Sequence, residues 1–433
     1  MAGRDVIFSI KSHGYEFEER IFDEPARRVR VEPGRHVEWM VRRVNIAERL
    51  YRITGADIYR DSVLAGLPVP IAHPLLNGGV TGQDTNIAVP YQGRLFWCYG
   101  DTFGLHAAIF SVSCAISQLP EKGGLDPAVG VNLTYFVDAG GFSREMLPLP
   151  RPGLVWIEGL FTVKDDTGRE RLVATYTRQP GLKPPVESGV AVFDDAAGQF
   201  RVLVQFPLPR RPRAHRSSHP FRVTERGVTY WYLYPHLRVR DDWKALTDPK
   251  SWESYTCLER GSDFDAGNTH LLRGPSETLE WSWKPDTGRI EADEERQLIA
   301  LGLMKKEEAL FAMRDSQSGQ ETGASPSSVA WNAYRKKWIL LAEKVGSVYY
   351  AEADEPAGPW NRAVKIVGHD HYNFYNVVQH PFFDREGGRI IYFEGTYTAS
   401  FSAAKELTPR YDYNQIMYRL HLDDPRLVDA KTR

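Results

Sequence analysis

A module of two short apolar strands joined by a polar turn recurs five times along this chain, and no other feature constrains the fold as strongly. The first copy runs Asn86-Ile-Ala-Val-Pro-Tyr, turn Gln92-Gly-Arg, then Leu95-Phe-Trp-Cys-Tyr. The second runs from Leu154 to Val163, turns at Asp165-Asp-Thr-Gly and returns as Leu172-Val-Ala-Thr-Tyr. The others turn at Thr224-Glu-Arg-Gly into Thr229-Tyr-Trp-Tyr-Leu-Tyr, at Tyr334-Arg-Lys-Lys into Trp338-Ile-Leu-Leu, and at Asp384-Arg-Glu-Gly-Gly into Ile390-Ile-Tyr-Phe. A lone hairpin cannot bury its apolar face, so repeated hairpins must stack on one another, as the blades of a β-propeller do. Further strands are expected at Ala107–Ser113, Gly189–Phe193, Trp252–Thr256, Ser347–Ala351 and Gln415–Leu420, which gives three or four per unit.

The expected fold is therefore all-β: a five-bladed β-propeller over residues 76–433. Residues 1–75 are read as an N-terminal extension packed on it, with a helical pattern from Asn45 to about Leu67 in which Thr54 would be a cap. An insertion over about 261–323 carries apolar residues at helical spacing (Leu298, Leu301, Leu303, Leu310) and is expected to be a helix-bearing loop over one face. A β-sandwich of two irregular sheets is the competing architecture.

Composition narrows the partners. A net charge of −2 over 433 residues gives no electrostatic reason to expect nucleic acid or an acidic membrane surface. Cys98, Cys114 and Cys257 follow no metal-ligand spacing and are expected to be buried thiols, and no cofactor or metal is implied. No apolar run reaches membrane-spanning length and the opening Met1-Ala-Gly-Arg-Asp does not begin a secretory signal, so the chain is expected to be soluble. With 11 Trp, 21 Tyr and 20 Phe, rings are plentiful, which suits pleated blades and also supplies platforms for sugar faces.

In a propeller the first strand of each blade lines the axis. Its leading residue here would be Asp84, Glu158, His219, Ser327, and His380 or Gln379. Asp84 and Asp101 bracket the first hairpin, which folds back and returns Asp101 to the end of the blade where Asp84 lies. Two converging carboxylates are what glycoside hydrolysis requires, one to protonate the leaving oxygen and one to attack or activate water. Asp101, within Gly-Asp-Thr, could equally close an Asx-type turn. Glu158 sits in an otherwise apolar strand, and Glu394 is the fifth-blade counterpart of Asp101. Either could be a raised-pKa acid or the support of an arginine. His219, His270 and His380 could hydrogen-bond sugar hydroxyls. Paired with Tyr375 or Tyr397, they could instead abstract a C5 proton of a uronic acid, which is lyase chemistry. Trp97, Gln379, Glu394 and Tyr375 complete the expected substrate-binding set.

The segment Thr81-Gly-Gln-Asp followed by Leu95-Phe-Trp-Cys-Tyr-Gly-Asp-Thr-Phe resembles the opening of the group catalogued as domain of unknown function 4185, which includes the endo-D-arabinanases of glycoside hydrolase family 183. Ala351-Glu-Ala-Asp-Glu-Pro-Ala-Gly-Pro-Trp is similar to a blade segment of family 43 furanosidase propellers, and Tyr413-Asn-Gln-Ile-Met-Tyr-Arg-Leu to the family's closing strand. The resemblance spans about residues 78–425. It implies a five-bladed propeller, catalysis by Asp84 and Asp101, and a furanoside such as arabinan as substrate. The N-terminal extension and the insertion after Gly261 depart from the arabinanase pattern. The function expected from the residues and the resemblance together is a glycoside hydrolase acting on a poly- or oligosaccharide. A polysaccharide lyase and a non-catalytic glycan-binding or interaction propeller are the alternatives.

Overall fold

The computed structural model describes residues 2–208, 219–369, 372–402, 404–405 and 412–430. The chain is mostly β. Near its start a small sheet is built from Arg4–Ser9, Glu24–Val31 and Arg20–Ile21. Strand β1 (Glu48–Arg52) follows.

Among the described residues, five larger sheets come next. Sheet one contains β2 (Asn86–Tyr91), β3 (Arg94–Tyr99), β4 (Ser113–Gln118) and β5 (Thr134–Tyr135). Sheet two contains β6 (Leu154–Lys164), β7 (Glu170–Gln179), β8 (Glu187–Asp194) and β9 (Gln199–Gln205). Sheet three has β10 (Phe221–Glu225), β11 (Val228–Tyr234), β12 (Leu237–Arg240), β13 (Glu253–Thr256) and β14 (Ser282–Pro285). In sheet four the short β15 (Arg314–Asp315) lies parallel to β19 (Arg362–Gly368), outside the antiparallel set β16 (Ser325–Asn332), β17 (Lys337–Lys344) and β18 (Ser347–Ala353). Sheet five comprises β20 (Asn373–Gln379), β21 (Ile390–Thr398) and β22 (Asn414–His421), and takes β1 as its outer strand.

Local chemistry explains the hairpins. Gln92 and Gly93 both adopt positive φ (47° and 76°), as do Arg226 and Gly227 (49° and 82°). That is the backbone of a tight hairpin turn whose twist matches the flanking strands. Between the hairpins, aromatic and β-branched side chains fill the gaps from sheet to sheet. Ile87, Phe96 and Cys98 of sheet one share a core with Ile157, Tyr176 and Phe193 of sheet two. Phe161, Trp231, Leu233, Val329 and Leu340 join sheets two, three and four, and Leu341, Tyr350, Phe374 and Phe393 join four and five. Tyr392 and Met417 of sheet five then meet Leu95, Trp97 and Tyr99 of sheet one. The succession of shared cores thus closes on itself.

Four expectations are corrected. Residues 45–67 are not one helix, since Glu48–Arg52 is a strand and only Arg60–Leu64 is helical. The outer edge of β22 offers a row of backbone groups, and pairing them outweighs a weak helical periodicity. Thr54 accordingly does not cap a helix, and its hydroxyl accepts the Gln415 amide at 3.0 Å. In sheet one the third strand is Ser113–Gln118 rather than Ala107–Ser113. Ala108–Ile109 is largely exposed and pairs instead with Thr102–Phe103, whereas Cys114 and Ala115 are fully buried against β3. In sheet three Leu237–Arg240 returns directly after Tyr234, so the Trp252–Thr256 segment becomes the fourth strand. In the insertion, the helical spacing read from Leu298 to Leu310 yields an α-helix over Ala292–Ala300 alone. Its Glu295, buried, accepts the Leu310 and Phe311 amides at 2.9 Å and ties the segment down. Among the described residues no helix is long and apolar enough to cross a membrane.

Because β1 is an integral strand of sheet five, weakening its anchor is expected to cost as much as a core mutation. Ile53 is buried beside Val80, Trp97 and Met417, and its amide donates to the Gln415 carbonyl at 2.8 Å. Ile53→Ala is expected to lower unfolding stability by about 2–5 kcal/mol in a urea titration. A loss near zero would mean that residues 1–53 peel off without disturbing the rest.

Candidate active site

The two aspartates that bracket the first hairpin meet at one end of sheet one. A small sheet of Val80–Gln83, Thr102–Gly104 and Ala108–Ile109 extends the hairpin there, pairing Gln83 with Thr102, while Asn86 pairs with Tyr99 inside β2 and β3. Asp84 and Asp101 are thereby held side by side. The Asp84 amide donates to the Asp101 carbonyl at 3.1 Å, and the Asp101 amide donates to Asp84 Oδ1 at 2.8 Å. The glycine of Gly100-Asp101 is required by this approach, because a Cβ there would lie 2.5 Å from Asp84 Oδ1.

Sheet five supplies the other half of the site. The Tyr375 hydroxyl donates to Asp84 Oδ2 at 3.0 Å, and the Tyr413 hydroxyl also hydrogen-bonds the carboxylate. The Asn376 amide group donates to Thr85 Oγ1 at 2.7 Å. Thr85, Asn376 and Tyr413 all have positive φ (50°, 53° and 55°). Such conformations in non-glycine residues carry a cost of about 1–3 kcal/mol each and cluster where function demands them. Here three of them surround one carboxylate. Next to Asn376, Glu343 accepts the Val377 amide at 2.7 Å and the Ser327 hydroxyl at 3.2 Å, and its carboxyl is raised by burial. From sheet two the Trp156 indole donates to Asp101 Oδ1 at 3.4 Å, and two residues on Glu158 accepts the Thr177 hydroxyl at 3.0 Å. A backbone irregularity at Ile157–Gly159 interrupts the ladder at Glu158.

Asp84, Asp101, Tyr375, Asn376 and Tyr413 are each half-buried, so this cluster faces a partly open surface, whereas Glu158 is buried. Burial first and the charge of Asp101 second raise the Asp84 carboxyl from 3.8 to about 6, against the lowering pull of Tyr413, Tyr375 and the Asp101 amide. Phe103 lies edge-on to Tyr413 at 5.0 Å and to the exposed Phe110 at 5.6 Å, which places aromatic rings beside the carboxylates.

The remaining predicted residues lie elsewhere. His219 reaches from the start of sheet three to accept the Ala88 amide of sheet one at 3.0 Å. Its ring stands 5.1 Å from that of His380, which in turn stands 5.3 Å from Trp97, and His380 Nε2 is 3.3 Å from Glu394 Oε1. Trp97, Gln379, His380 and Glu394 expose at most 1% of their surface, which leaves no face for a sugar to touch. Burial pushes His380 down to about 3, His219 well below the usual imidazole range and Glu394 well above the carboxylate range. Gln379 bonds Ser328 through its backbone and lies 3.4 Å from Asp384 through its side chain. His270 is exposed on the insertion. Tyr397 stacks on Tyr372 at 4.5 Å and meets His13 and His369. Among the described residues no group of three or more His, Cys, Asp or Glu could hold a metal ion.

Sequence reasoning did not single out Thr85, Trp156, Glu343, Asn376 or Tyr413. Only Asn376, in a run otherwise suited to a strand, carried a local signal, since asparagine tolerates the left-handed conformation.

No family model and no curated protein matches the sequence. Among solved structures the chain is similar to a thermostable family-43 glycoside hydrolase at 12% identity, covering 80% of this chain and 92% of that one with a TM-score of 0.38. It is similar to an α-L-arabinofuranosidase from Fusarium graminearum in complex with an iminosugar inhibitor at 10% identity, covering 88% and 99% with a TM-score of 0.39. An exo-1,5-α-L-arabinanase from a bovine ruminal metagenomic library shows 8% identity, 79% and 94% coverage and a TM-score of 0.35. Likeness at that level carries no chemistry to this chain.

The raised carboxyl has a thermodynamic signature. A carboxyl that holds its proton more tightly folded than unfolded favours folding below about pH 4, and that contribution is lost as pH rises through about 6. Asp84→Asn removes the ionisation. Relative to wild type, the variant's unfolding free energy is therefore expected to improve between about pH 4 and pH 7.5. Denaturant titrations at the two pH values measure the difference, and a pH-independent difference would show that Asp84 ionises as an ordinary carboxyl.

Proposed function

We propose that the five sheets are the blades of a five-bladed β-propeller and that the chain is a glycoside hydrolase cleaving a poly- or oligosaccharide. The observation that carries this reading is the Asp84–Asp101 pair, a partly open site in which one carboxyl is pushed to about 6 beside a second carboxylate. Glycoside cleavage needs one carboxylate that is ionised and one carboxyl that gives up a proton. Above about pH 6 Asp84 is the ionised member, fixed in orientation by Tyr375, Tyr413 and the Asp101 amide. We assign it as nucleophile or general base. Asp101, held by the Trp156 indole, is its partner as the charge that keeps Asp84 basic. Glu158, two residues beyond Trp156, is then the acid candidate.

Phe103, Phe110 and Tyr413 are assigned as the platform for a sugar ring. A furanoside such as arabinan is favoured, on the sequence resemblance of the first hairpin. Trp97, Gln379, His380 and Glu394 are assigned an interior supporting role. His219 and His380, enclosed and uncharged, do not suit the lyase reading, in which a solvent-facing histidine and tyrosine must reach a uronate.

Reducing-sugar release from arabinans, other plant and bacterial glycans and aryl furanosides tests the proposal. Asp84→Asn is expected to lower turnover at least about 100-fold. The wild-type rate is expected to fall on the acid side with an apparent pKa near 6, as Asp84 takes up its proton. Tyr375→Phe removes a donor that stabilises the carboxylate, so its acid limb is expected to move to higher pH. Sugar affinity retained by Asp84→Asn, with no turnover by wild type on the same sugar, would identify a binding module instead.

A further inference from the structure

Cys98 on β3 and Cys114 on β4 face each other as direct cross-strand partners, sixteen positions apart. The Cys114 carbonyl accepts the Phe136 amide at 3.1 Å, and the neighbouring Val112 carbonyl on the same side accepts that of Met146 at 2.9 Å. The backbone groups of Cys114 therefore point away from β3, which makes Cys98–Cys114 a non-hydrogen-bonded pair. In such pairs the Cα atoms stand about 4.5 Å apart and the side chains approach most closely. A disulfide spans Cα separations of about 4.4–6.8 Å, so the register needs no backbone movement to be bridged. The two sulfurs are 2.9 Å apart, nearer than unbonded sulfurs ordinarily sit. Both are thiols here, and both are buried.

We propose that Cys98 and Cys114 form a cross-strand disulfide when the chain meets a disulfide oxidant such as glutathione disulfide. One cysteine thiolate attacks a sulfur of the oxidant, forming a mixed disulfide and releasing one glutathione thiol. The second cysteine gives up its proton, attacks the bonded cysteine sulfur and expels the second glutathione. The cysteine pair loses two electrons and two protons, and the oxidant gains them as two thiols. Burial holds the Cys114 thiol well above its usual range, so thiolate is scarce in the closed fold and exchange proceeds through opened molecules. The bond would close the stretch Tyr99–Ser113, which carries Asp101 and Thr102. Cys257, buried in the separate core of the insertion, has no such partner in register and serves as an internal standard.

The full chain is incubated with a glutathione redox mixture in urea below the unfolding midpoint and returned to buffer. It is then alkylated under denaturing conditions and weighed intact. One adduct per molecule is expected, against three after reduction, with a Cys98–Cys114 cross-linked peptide on digestion. In Cys257→Ser the expected counts are none and two. Full alkylation after oxidation, or a cross-link that includes Cys257, would overturn the proposal.

Discussion

The pairing of Glu48–Arg52 with Asn414–His421 is the constraint on which the rest of the structure depends. It joins a segment near the start of the chain to the last sheet and fixes where sheets one and five meet. Around it, the Gln83 amide donates to the Tyr413 carbonyl at 2.7 Å, the Thr85 amide to the Thr396 hydroxyl at 3.2 Å, and the Gln415 side chain to the Gln83 carbonyl at 3.2 Å. Asp84 lies on one side of this seam, Tyr375 and Tyr413 on the other. The contact that closes the series of sheets is thus the contact that builds the carboxylate site, and strain at Thr85, Asn376 and Tyr413 is held there by hydrogen bonds from both sheets.

Two kinds of polar cluster share the interior, and solvent separates them. At the half-buried end, the Tyr375 and Tyr413 hydroxyls and the Asp101 amide let Asp84 ionise near neutrality while burial and Asp101 raise its pKa. Deeper, Glu394, His380 and His219 are stripped of water and are held in their uncharged forms. The same residue types therefore carry different chemistry according to depth. A carboxylate or imidazole can exchange protons with a ligand only where the ligand can reach it.

The hairpins were legible because their signals are local. Gln92-Gly93 and Arg226-Gly227 specify tight turns, and the flanking β-branched and aromatic residues favour strands. The convergence of Asp84 and Asp101 was legible for the same reason, since a hairpin returns its ends to one place. Residues 45–67 misled because their strand exists only when β22 is present to pair with it. Tyr375 and Tyr413 lie nearly three hundred and more positions from Asp84, and nothing local marks them as its donors. His380 and Glu394 carry residue types suited to a binding site, and only the packing of Trp97, Phe382 and Phe383 around His380 shows it sealed.

The sequence by itself determined a mostly-β chain of repeated hairpins and the pair of aspartates at the end of the first. Alternation, turn chemistry and hairpin return all act over a few residues, so they need no knowledge of the rest of the chain. The tertiary structure decided which strand completes the last sheet, which donors hold Asp84, and which acids and histidines meet water. Those depend on contacts between segments hundreds of residues apart, where the free energy of pairing and desolvation belongs to the assembled sheets and to no single stretch of the chain.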